Sequence, residues 1–257
     1  MRCSAPSTSW SARSASNRNS AVRVVITGAS SGIGEALARH YAAQGATLGL
    51  ISRRHGVDVT DEAAVAAAAQ DFMRRHGVPD LVIANAGIGT GTDGANPADI
   101  SKLRKIVDVN VIGLAATLAA FAPAMRDARR GTLCGIASVA GFRGLAGNGA
   151  YCASKSAAIT WMESLRAELY GSGVSVVCVC PGYIDTPMTR VNRFRMPFLL
   201  SADEAARRIV RAIEARRRLT VIPWQMALVS LALRAMPGWL FDRLAARAPR
   251  KPKDVPV

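Results

Sequence analysis

Short apolar runs alternate with longer, alanine-rich amphipathic stretches along most of the chain. The runs are rich in β-branched residues and have the length of buried strands. They occupy Arg23–Thr27, Thr47–Ile51, Leu81–Ala84, Thr132–Ala137, Val174–Cys180 and Leu219–Ile222. Because strands that alternate with helices usually pair in parallel, the pattern predicts an α/β fold. We expect a mostly parallel sheet that is covered by helices on both faces.

The alternation is absent at the start of the chain and changes near its end. Residues 1–20 are rich in Ser, Arg and Asn and have almost no apolar residues, so we expect a disordered extension. Their composition resembles an organelle transit peptide, and a non-native extension ahead of the true start is an equally good interpretation. Residues 21–222 are predicted to form one domain, and residues 223–257 a separate amphipathic and basic segment.

This last segment begins with the apolar run Trp224–Leu233 and carries a basic cluster at Arg250–Lys253. The apolar run is too short to span a bilayer. We expect its residues to cover a substrate pocket or to form a contact between subunits. A basic amphipathic helix that lies on a membrane surface is the alternative, in which case the protein is a peripheral membrane protein.

Composition is that of a soluble single-domain protein, and the charge distribution argues against nucleic acid as a partner. The 257 residues are 50% hydrophobic, which is enough for one sizeable core, and the formal net charge is +15. The first 34 residues carry four arginines and no acidic residue, and residues 201–257 carry 12 basic and 5 acidic residues. Excess charge at the two ends, without interleaved aromatic residues, is a poor nucleic-acid footprint.

The cysteines indicate free thiols, because none has the spacing of zinc ligands and neighbours on one strand face are poorly placed for a disulfide. They are Cys3, Cys134, Cys152, Cys178 and Cys180. We therefore expect buried thiols in a reducing, cytoplasmic compartment. The three histidines are isolated in the sequence, so no metal site is predicted.

A glycine-rich turn follows the first predicted strand and leads directly into a helical pattern. Its sequence is Thr27-Gly-Ala-Ser-Ser-Gly-Ile-Gly34. Glycines at such a turn let backbone N–H groups approach a pyrophosphate, which the positive end of the following helix stabilises. A glycine pattern alone is weak support for a dinucleotide site. The strand before it and the helix after it strengthen the interpretation.

Three residues further along the chain are suited to moving a proton. Tyr151 and Lys155 are four residues apart in a predicted helix, which places both side chains on one face. An ammonium one turn away favours the phenolate and lowers the tyrosine pKa from its ordinary value of about 10. Ser138 can donate a hydrogen bond to the same substrate oxygen. A Tyr-x-x-x-Lys pair also occurs by chance on amphipathic helices, so its weight comes from the glycine-rich turn that precedes it.

Together these segments resemble the short-chain dehydrogenase/reductases in order and spacing. The matching motifs are Thr27-Gly-x-x-x-Gly-x-Gly34, Asn85-Ala-Gly87, Asn110, Ser138, Tyr151-x-x-x-Lys155 and Pro181-Gly182 followed by Thr186. The resemblance extends from about Val22 to at least Met188. It implies a Rossmann-type, doubly wound parallel sheet that binds a nicotinamide dinucleotide. The implied activity is hydride transfer between that cofactor and a carbonyl or secondary alcohol.

The resemblance also implies a role for each matched residue. Tyr151 is expected to be the general acid/base, and Lys155 its activator and a ligand of the nicotinamide ribose. Ser138 is expected to position the carbonyl oxygen, and Asn110 to hold a water of a proton relay. The expected cofactor-binding residues are Thr27, Gly28, Ser30, Ser31, Gly32, Ile33, Gly34, Ser52, Arg53, Arg54, Asp58, Asn85, Ala86, Gly87, Tyr151, Lys155, Pro181, Gly182, Ile184 and Thr186.

The residues after the second strand indicate which dinucleotide is preferred. In this fold an acidic residue there bonds the ribose 2′-hydroxyl of NAD, whereas arginine accommodates the 2′-phosphate of NADP. Here the strand ends in Ser52-Arg53-Arg54 and has no carboxylate. Because guanidinium groups bind phosphate in a bidentate manner, the sequence predicts NADP over NAD. A solvated basic turn is the alternative.

The chain departs from the family pattern directly after Arg54. The segment around Asp58 resembles the end of the family's third strand, yet only a few residues separate it from the second strand. Since a parallel crossover needs about a dozen residues or more, we expect the helix between strands 2 and 3 to be missing. Loss of this edge would expose the adenine half of the cofactor. The alternative function is therefore an impaired relative that binds a dinucleotide or a partner without turnover.

The segment Met188–Leu200 matches the loop that covers the substrate in this family. Its apolar residues predict a hydrophobic, lipid-like or aromatic carbonyl or alcohol as substrate, and its arginines could meet a carboxylate or face solvent. The apolar residues are Phe194, Met196, Phe198 and Leu199, and the basic ones are Arg190, Arg193 and Arg195. The Tyr151 helix and a long helix predicted over Ser101–Ala128 form subunit contacts in similar proteins, so we expect a homo-oligomer.

Overall fold

The computed structural model describes residues 21–253, and a six-stranded parallel sheet lies at its centre. The strands, numbered along the chain, are β1 (Arg23–Thr27), β2 (Thr47–Ile51), β3 (Leu81–Ala84), β4 (Thr132–Ile136), β5 (Ser175–Pro181), β6 (Ile184–Asp185), β7 (Leu200–Ser201) and β8 (Leu219–Ile222). The sheet order is β2-β1-β3-β4-β5-β8, while β6 and β7 pair separately. All six predicted strands are present, and their ends lie within one residue of the predicted ends.

Helices cover both faces of the sheet, as the alternating pattern predicted. They are α1 (Gly32–Ala43), α2 (Glu62–His76), α3 (Ile100–Val107), α4 (Gly113–Ala119), α5 (Ala122–Asp127), α6 (Gly149–Glu168), α7 (Pro187–Arg190), α8 (Ala202–Glu214), α9 (Trp224–Ala235) and α10 (Gly238–Ala245). Val24 and Ile26 of β1 belong to the core under α1 and α8, whereas Val25 belongs to the core under α2, α4 and α6. Successive strand residues point to opposite faces, so this run is buried on both sides.

The predicted long helix over Ser101–Ala128 is interrupted in the structure. After α3 the segment Asp108–Ile112 forms a π-helical turn, and α4 follows it. A second break at Ala120–Phe121 separates α4 from α5, whose first turn contains Pro123. Proline has no N–H to donate to the preceding turn and therefore favours a helix start at this point. The π turn places Asn110 inside the helical layer.

The connection that follows β2 is short. It holds a single 3₁₀ turn, Arg53–His55, before α2 begins at Glu62. The Asp61 carboxylate accepts a hydrogen bond from the Ala64 N–H at 2.9 Å and so caps the start of α2. Within residues 21–253, β2 pairs only with β1 and forms one edge of the sheet. A groove of about 550 Å³ lies between this edge and α2.

The end of the described chain turns back onto the domain. Arg143 donates hydrogen bonds to the carbonyls of Leu233 and Met236, and its guanidinium lies 3.9 Å from the ring centroid of Phe241. Among residues 21–253, no helix combines the length and the apolar character that a bilayer-crossing segment needs. The disorder predicted for residues 1–20 concerns a part of the chain outside the described residues.

The cysteines within the described range are free and buried, as predicted. They are Cys134, Cys152, Cys178 and Cys180. Cys3 lies outside that range.

Candidate active site

A cleft of about 520 Å³ opens at the carboxyl ends of the sheet strands, where ligands bind in this class of fold. Most of the predicted site residues line it. These are Gly28, Ser30, Ser31, Gly32, Ile33, Ser52, Arg53, Asp58, Asn85, Ala86, Gly87, Ser138, Tyr151, Lys155, Pro181, Gly182, Ile184 and Thr186. The other four predicted residues, Thr27, Gly34, Arg54 and Asn110, do not line the cleft.

Thr27 and Gly34 shape the glycine-rich turn from behind. The Thr27 hydroxyl accepts hydrogen bonds from the N–H groups of Asn85 and Ala86 at 3.1 and 3.2 Å. The Asn85 amide donates in return to the carbonyls of Thr27 and Gly28, at 3.0 and 3.3 Å. A Cβ on Gly34 would collide with the Gly28 carbonyl oxygen. These residues therefore join the ends of β1 and β3 and hold the turn against α1.

The same turn has the features that a pyrophosphate requires. Gly28 has a φ of +66°, and a Cβ there would lie 2.7 Å from the Cα of Ala86. Ser31 is the N-cap of α1 and makes no side-chain hydrogen bond to the first turn, so the N–H groups of that turn are not satisfied by a cap, and Gly32 and Ile33 of the turn line the cleft. Partial positive charge at a helix N-terminus stabilises an anion. The turn thus fits the phosphates of a dinucleotide.

Ser52, Arg53 and Asp58 form the far end of the cleft, beside β2. The Ser52 hydroxyl is 2.7 Å from Nδ1 of His55, which fixes the 3₁₀ turn. Hydrogen bonds from Thr60 lower the pKa of Asp58, and the charge of Arg53 adds to this effect. Arg53 is therefore a basic residue of the cleft lining that lies near enough to Asp58 to influence its pKa. Arg54, its neighbour in sequence, is exposed and does not line the cleft.

The proton-transfer group lies at the opposite end of the cleft. Lys155 is buried and its Nζ donates to the Ile136 carbonyl at 2.9 Å, while lying 5.8 Å from the ring centroid of Tyr151. Ser138 begins a 3₁₀ turn, where its Oγ accepts from the Ala140 N–H at 3.2 Å and donates to the Pro181 carbonyl at 3.4 Å. Ser138 follows the end of β4, whereas Tyr151 and Lys155 lie on α6, and all three side chains line the same end of the cleft.

The pKa of each group is set mainly by burial. Burial raises the pKa of Tyr151 to about 12, and a hydrogen bond with Ser138 acts in the opposite direction. Burial lowers the pKa of Lys155 to about 8. Burial outweighs the effect of Ser138, so the pKa of Tyr151 lies above its ordinary value, and the lowering by Lys155 that the sequence argument expected stays a prediction. The Lys155 ammonium donates a hydrogen bond to the Ile136 carbonyl, and among the described contacts it makes no hydrogen bond with the Tyr151 phenol.

Asn110 lies behind the cleft and has no exposed surface. Its Oδ1 accepts from the Ile88 N–H at 2.8 Å, and its Nδ2 donates to the Ile88 carbonyl and to the Ser154 hydroxyl, both at 2.9 Å. Ser154 donates in turn to the Tyr151 carbonyl at 2.8 Å. The Asn110 side chain therefore connects the π turn to the loop after β3 and to α6. Its role in a water relay stays a prediction.

The loop after β6 forms one wall of the cleft. Met188 and Thr189 line it, and Phe194 meets the ring of Tyr183 edge-on, with centroids 6.3 Å apart. Arg190 pairs with Asp185 through an Nε–Oδ1 distance of 2.7 Å, so its charge is engaged within the loop. None of the four apolar residues predicted to form a lid lines the cleft, and Phe198 and Leu199 are exposed, so the apolar lid stays a prediction.

The sequence argument missed a basic residue at the mouth of the site. Lys251 places its Nζ 5.7 Å from the ring centroid of Tyr151. Lys105 and Asp108, which also line the cleft, were missed as well. A short basic segment that contacts a site far away in sequence has no periodic pattern by which the contact could be predicted. A local signal is the pair of glycines Gly89 and Gly91, which follows the predicted cofactor-binding motif Asn85-Ala-Gly87 and allows close approach of another segment.

Comparison with known proteins identifies the family to which this site belongs. The family described as short chain dehydrogenase matches residues 55–196. An uncharacterized oxidoreductase of Myxococcus xanthus is 39% identical over 243 residues, which cover 87% of this chain and 96% of that protein. The chain belongs to the short-chain dehydrogenase/reductase (SDR) family. It is therefore an SDR oxidoreductase of the NAD(P)-dependent type, with the Rossmann-like fold of that family.

Other similar proteins agree with this assignment. The ketoacyl reductase HetN of Nostoc is 29% identical over 223 residues, which cover 77% of each chain. The crystal structure of a short chain dehydrogenase from Burkholderia cenocepacia in complex with NADP is 27% identical and has a TM-score of 0.76, covering 88% of this SDR and 96% of that chain. A short-chain dehydrogenase from Streptomyces avermitilis is 25% identical, with a TM-score of 0.74 and coverage of 88% and 95%.

Proposed function

We propose that this SDR reduces the carbonyl group of an apolar substrate with NADPH, and catalyses the reverse oxidation of the secondary alcohol. The observation that carries the proposal is the meeting of Ser138, Tyr151 and Lys155 at one end of a cleft whose other end holds the glycine-rich turn and Arg53. The dinucleotide supplies or accepts the hydride. The side chains of the protein handle the proton and the charge on oxygen.

Each side chain of the trio has a distinct task in the reduction. The Ser138 hydroxyl donates a hydrogen bond to the carbonyl oxygen, and the Tyr151 phenol gives that oxygen its proton as the hydride arrives. The phenolate left behind is stabilised by the ammonium of Lys155, 5.8 Å from the ring centroid. A tyrosine whose pKa is raised to about 12 holds its proton at neutral pH. This supports reduction as the favoured direction.

Preference for NADP is supported by the charges at the end of β2. Arg53 lines the cleft and no carboxylate stands at the last residue of the strand or in the turn Arg53–His55. A guanidinium there can bind the 2′-phosphate that distinguishes NADP from NAD. The Burkholderia relative with a similar fold was solved with NADP.

The shortened connection after β2 supports a second candidate function. The resemblance predicts that a helix and most of a strand are missing at this point, and only one 3₁₀ turn stands between β2 and the Asp58 segment, before α2 begins. In this second candidate, less protein surrounds the adenine side of the cleft, and the affinity for the cofactor is lower. A protein that lost too much affinity would act through association and not through turnover.

Titration with NADPH and NADH, followed by calorimetry, tests both candidates. Arg53→Ala should weaken NADPH binding by about 10- to 100-fold, because a charge-assisted hydrogen bond to the 2′-phosphate is lost, and should leave NADH binding nearly unchanged. Arg54→Ala is the matched control, since Arg54 does not line the cleft.

The outcomes separate the two candidates. Equal affinity of the wild type for both dinucleotides would overturn the NADP preference alone. If neither dinucleotide binds, the proposal that the protein is an active enzyme is overturned in favour of the impaired relative. The apolar side chain of Met188 in the cleft wall, from the loop in which Phe194 packs against Tyr183, supports apolar carbonyl compounds as the first substrates to assay.

A further inference from the structure

Residues 250–253, here called the strap, lie across the loop that follows β3, at the mouth of the active site. The Gly91 N–H donates to the Pro252 carbonyl at 2.9 Å, and Lys102 Nζ donates to the Lys253 carbonyl at 3.3 Å. The ammonium of Lys253 lies 3.5 Å from Asp93 Oδ2. The strap is therefore fixed by both backbone and charge contacts.

Three glycines make room for the strap and for the ring beneath it. A Cβ on Gly91 would lie 2.8 Å from the Pro252 carbonyl oxygen, and one on Gly147 would lie 2.9 Å from the Cβ of Arg250. A Cβ on Gly89 would lie 2.7 Å from the ring of Tyr151. These small residues allow the strap to approach Tyr151 more closely than side chains would permit.

This path carries Lys251 to the reacting end of the cleft. Its Nζ is 5.7 Å from the ring centroid of Tyr151, and no carboxylate of residues 21–253 lies within ion-pair distance of it. Burial lowers the pKa of Lys251 to about 8, so the ammonium still carries its charge at neutral pH. Lys253, two residues on, has Asp93 and Asp99 as partners. The two lysines of the strap thus differ in that one is paired and the other is not.

We propose that Lys251 binds a carboxylate that the substrate carries next to its reacting carbonyl. This deepens the proposed function, on which it rests, and identifies the substrate class as apolar oxo acids and the corresponding hydroxy acids. Partial burial of an ammonium that has no carboxylate partner costs free energy of desolvation, and a bound substrate carboxylate offsets that cost. Proximity to Tyr151 requires the carboxylate to lie close to the carbon that accepts the hydride.

Benzoylformate and its methyl ester form the test pair, because they differ in charge and share the same ketone. The measurement is the ratio of kcat/KM for the acid to that for the ester, with NADPH as reductant. Lys251→Met should lower this ratio about 10- to 100-fold, as expected for the loss of a charge-assisted hydrogen bond. Lys251→Arg should restore most of it. Arg247→Met is the control, because it removes an exposed cation outside the strap and outside the cleft lining, and it should leave the ratio close to that of the wild type.

The outcomes are distinct from those of the proposed function. A wild-type enzyme that reduces the ester as well as the acid would overturn the role of Lys251, and so would a Lys251→Met variant that loses both activities equally. Failure of the proposed function is seen separately, as the absence of NADPH binding. If the wild type binds NADPH but reduces neither ketone, substrate binding replaces turnover as the measurement. Calorimetric binding of benzoylformate to the wild type and to Lys251→Met then decides the Lys251 site: equal affinities overturn it, and a loss of about 10-fold supports it.

Discussion

Two lysine ammonium groups lie at nearly equal distances from Tyr151, yet they reach it by different routes. Lys155 is one helical turn away on α6, and its Nζ is 5.8 Å from the ring centroid. Lys251 comes from the strap and is 5.7 Å from the same centroid. Neither donates a hydrogen bond to the phenol among the described contacts, and Ser138 is the neighbour whose hydroxyl acts to lower the pKa of Tyr151 against the effect of burial. The serine therefore influences both the position of the substrate and the acidity of the tyrosine.

Ser138→Ala tests this double role. We expect kcat to fall about 100-fold, because one donor to the developing oxyanion is lost. In alcohol oxidation, the rise of kcat/KM with pH follows deprotonation of Tyr151. That rise should move to higher pH, since the variant lacks the hydrogen bond that lowers this pKa. The measurement is the pH profile of kcat/KM.

Ser138→Thr serves as the control, because it keeps a hydroxyl and should restore the wild-type profile. Thermal unfolding monitors the separate loss of the hydrogen bond to the Ala140 N–H. A Ser138→Ala profile that coincides with that of the wild type would refute the acidity role.

Most cleft residues could be predicted from the sequence because they act through local patterns. A glycine turn between a strand and a helix, or two side chains one helical turn apart, has a fixed spacing. The role of Asn110 was harder to predict, since its side chain is fully bonded to Ile88 and Ser154 behind the cleft. Lys251 could not be predicted, because its approach to Tyr151 depends on the path of the whole chain.

At the scale of elements, the strap depends on glycines that belong to a different part of the chain. Gly91→Ala should displace it, because the new Cβ would collide with the Lys251 carbonyl oxygen. Trypsin should then cleave after Arg250 at least about tenfold faster than in the wild type, since exposed and loosened backbone is the preferred substrate of proteases. Mass spectrometry of timed digests measures this rate.

Gly94→Ala provides the matched control for the strap, since a Cβ at that position meets nothing within 4 Å. Equal cleavage rates in Gly91→Ala and Gly94→Ala would mean that the strap does not depend on this close approach.

The elements themselves were predicted unevenly. The ends of the strands were predicted to within one residue, because β-branched runs bounded by polar residues are a strong local pattern. The helix predicted over Ser101–Ala128 is divided by the π turn Asp108–Ile112 and by the break before α5. A π turn has no compositional signature and is stabilised here by tertiary hydrogen bonds of Asn110.

For the whole molecule, two exposed apolar surfaces are candidates for assembly. One includes Trp161 on α6 and Ile112 at the end of the π turn, and Trp161 is 46% exposed. The other follows α9, where Trp224, Leu228 and Leu231 are all more than half exposed. Large apolar side chains at an interface contribute most of its binding energy. We propose that the α6 surface joins subunits of a homo-oligomer.

Trp161→Glu should shift the protein toward monomers, with a subunit dissociation constant at least about 30-fold higher, because a charge replaces a buried apolar contact. Light scattering after size-exclusion chromatography measures the mass. Trp224→Glu is the matched substitution on α9 and should leave the mass unchanged.

If the wild type itself is monomeric, the homo-oligomer proposal is wrong. If only Trp224→Glu dissociates the protein, the α6 interface is wrong and the α9 surface is the subunit contact. Sedimentation of Trp224→Glu with anionic vesicles, compared with the wild type, tests the alternative of a membrane-surface helix.

The position of β2 at the edge of the sheet has a consequence for handling the protein. Thr47–Ile51 has no lysine or proline, the residues that commonly protect an edge, and it borders the groove next to α2. An exposed row of backbone donors and acceptors is a template on which a strand from another molecule can add. Electrostatic repulsion between molecules of net charge +15 opposes such contact. Added salt screens that repulsion, so concentrated solutions of this protein are expected to stay clear longest at low ionic strength.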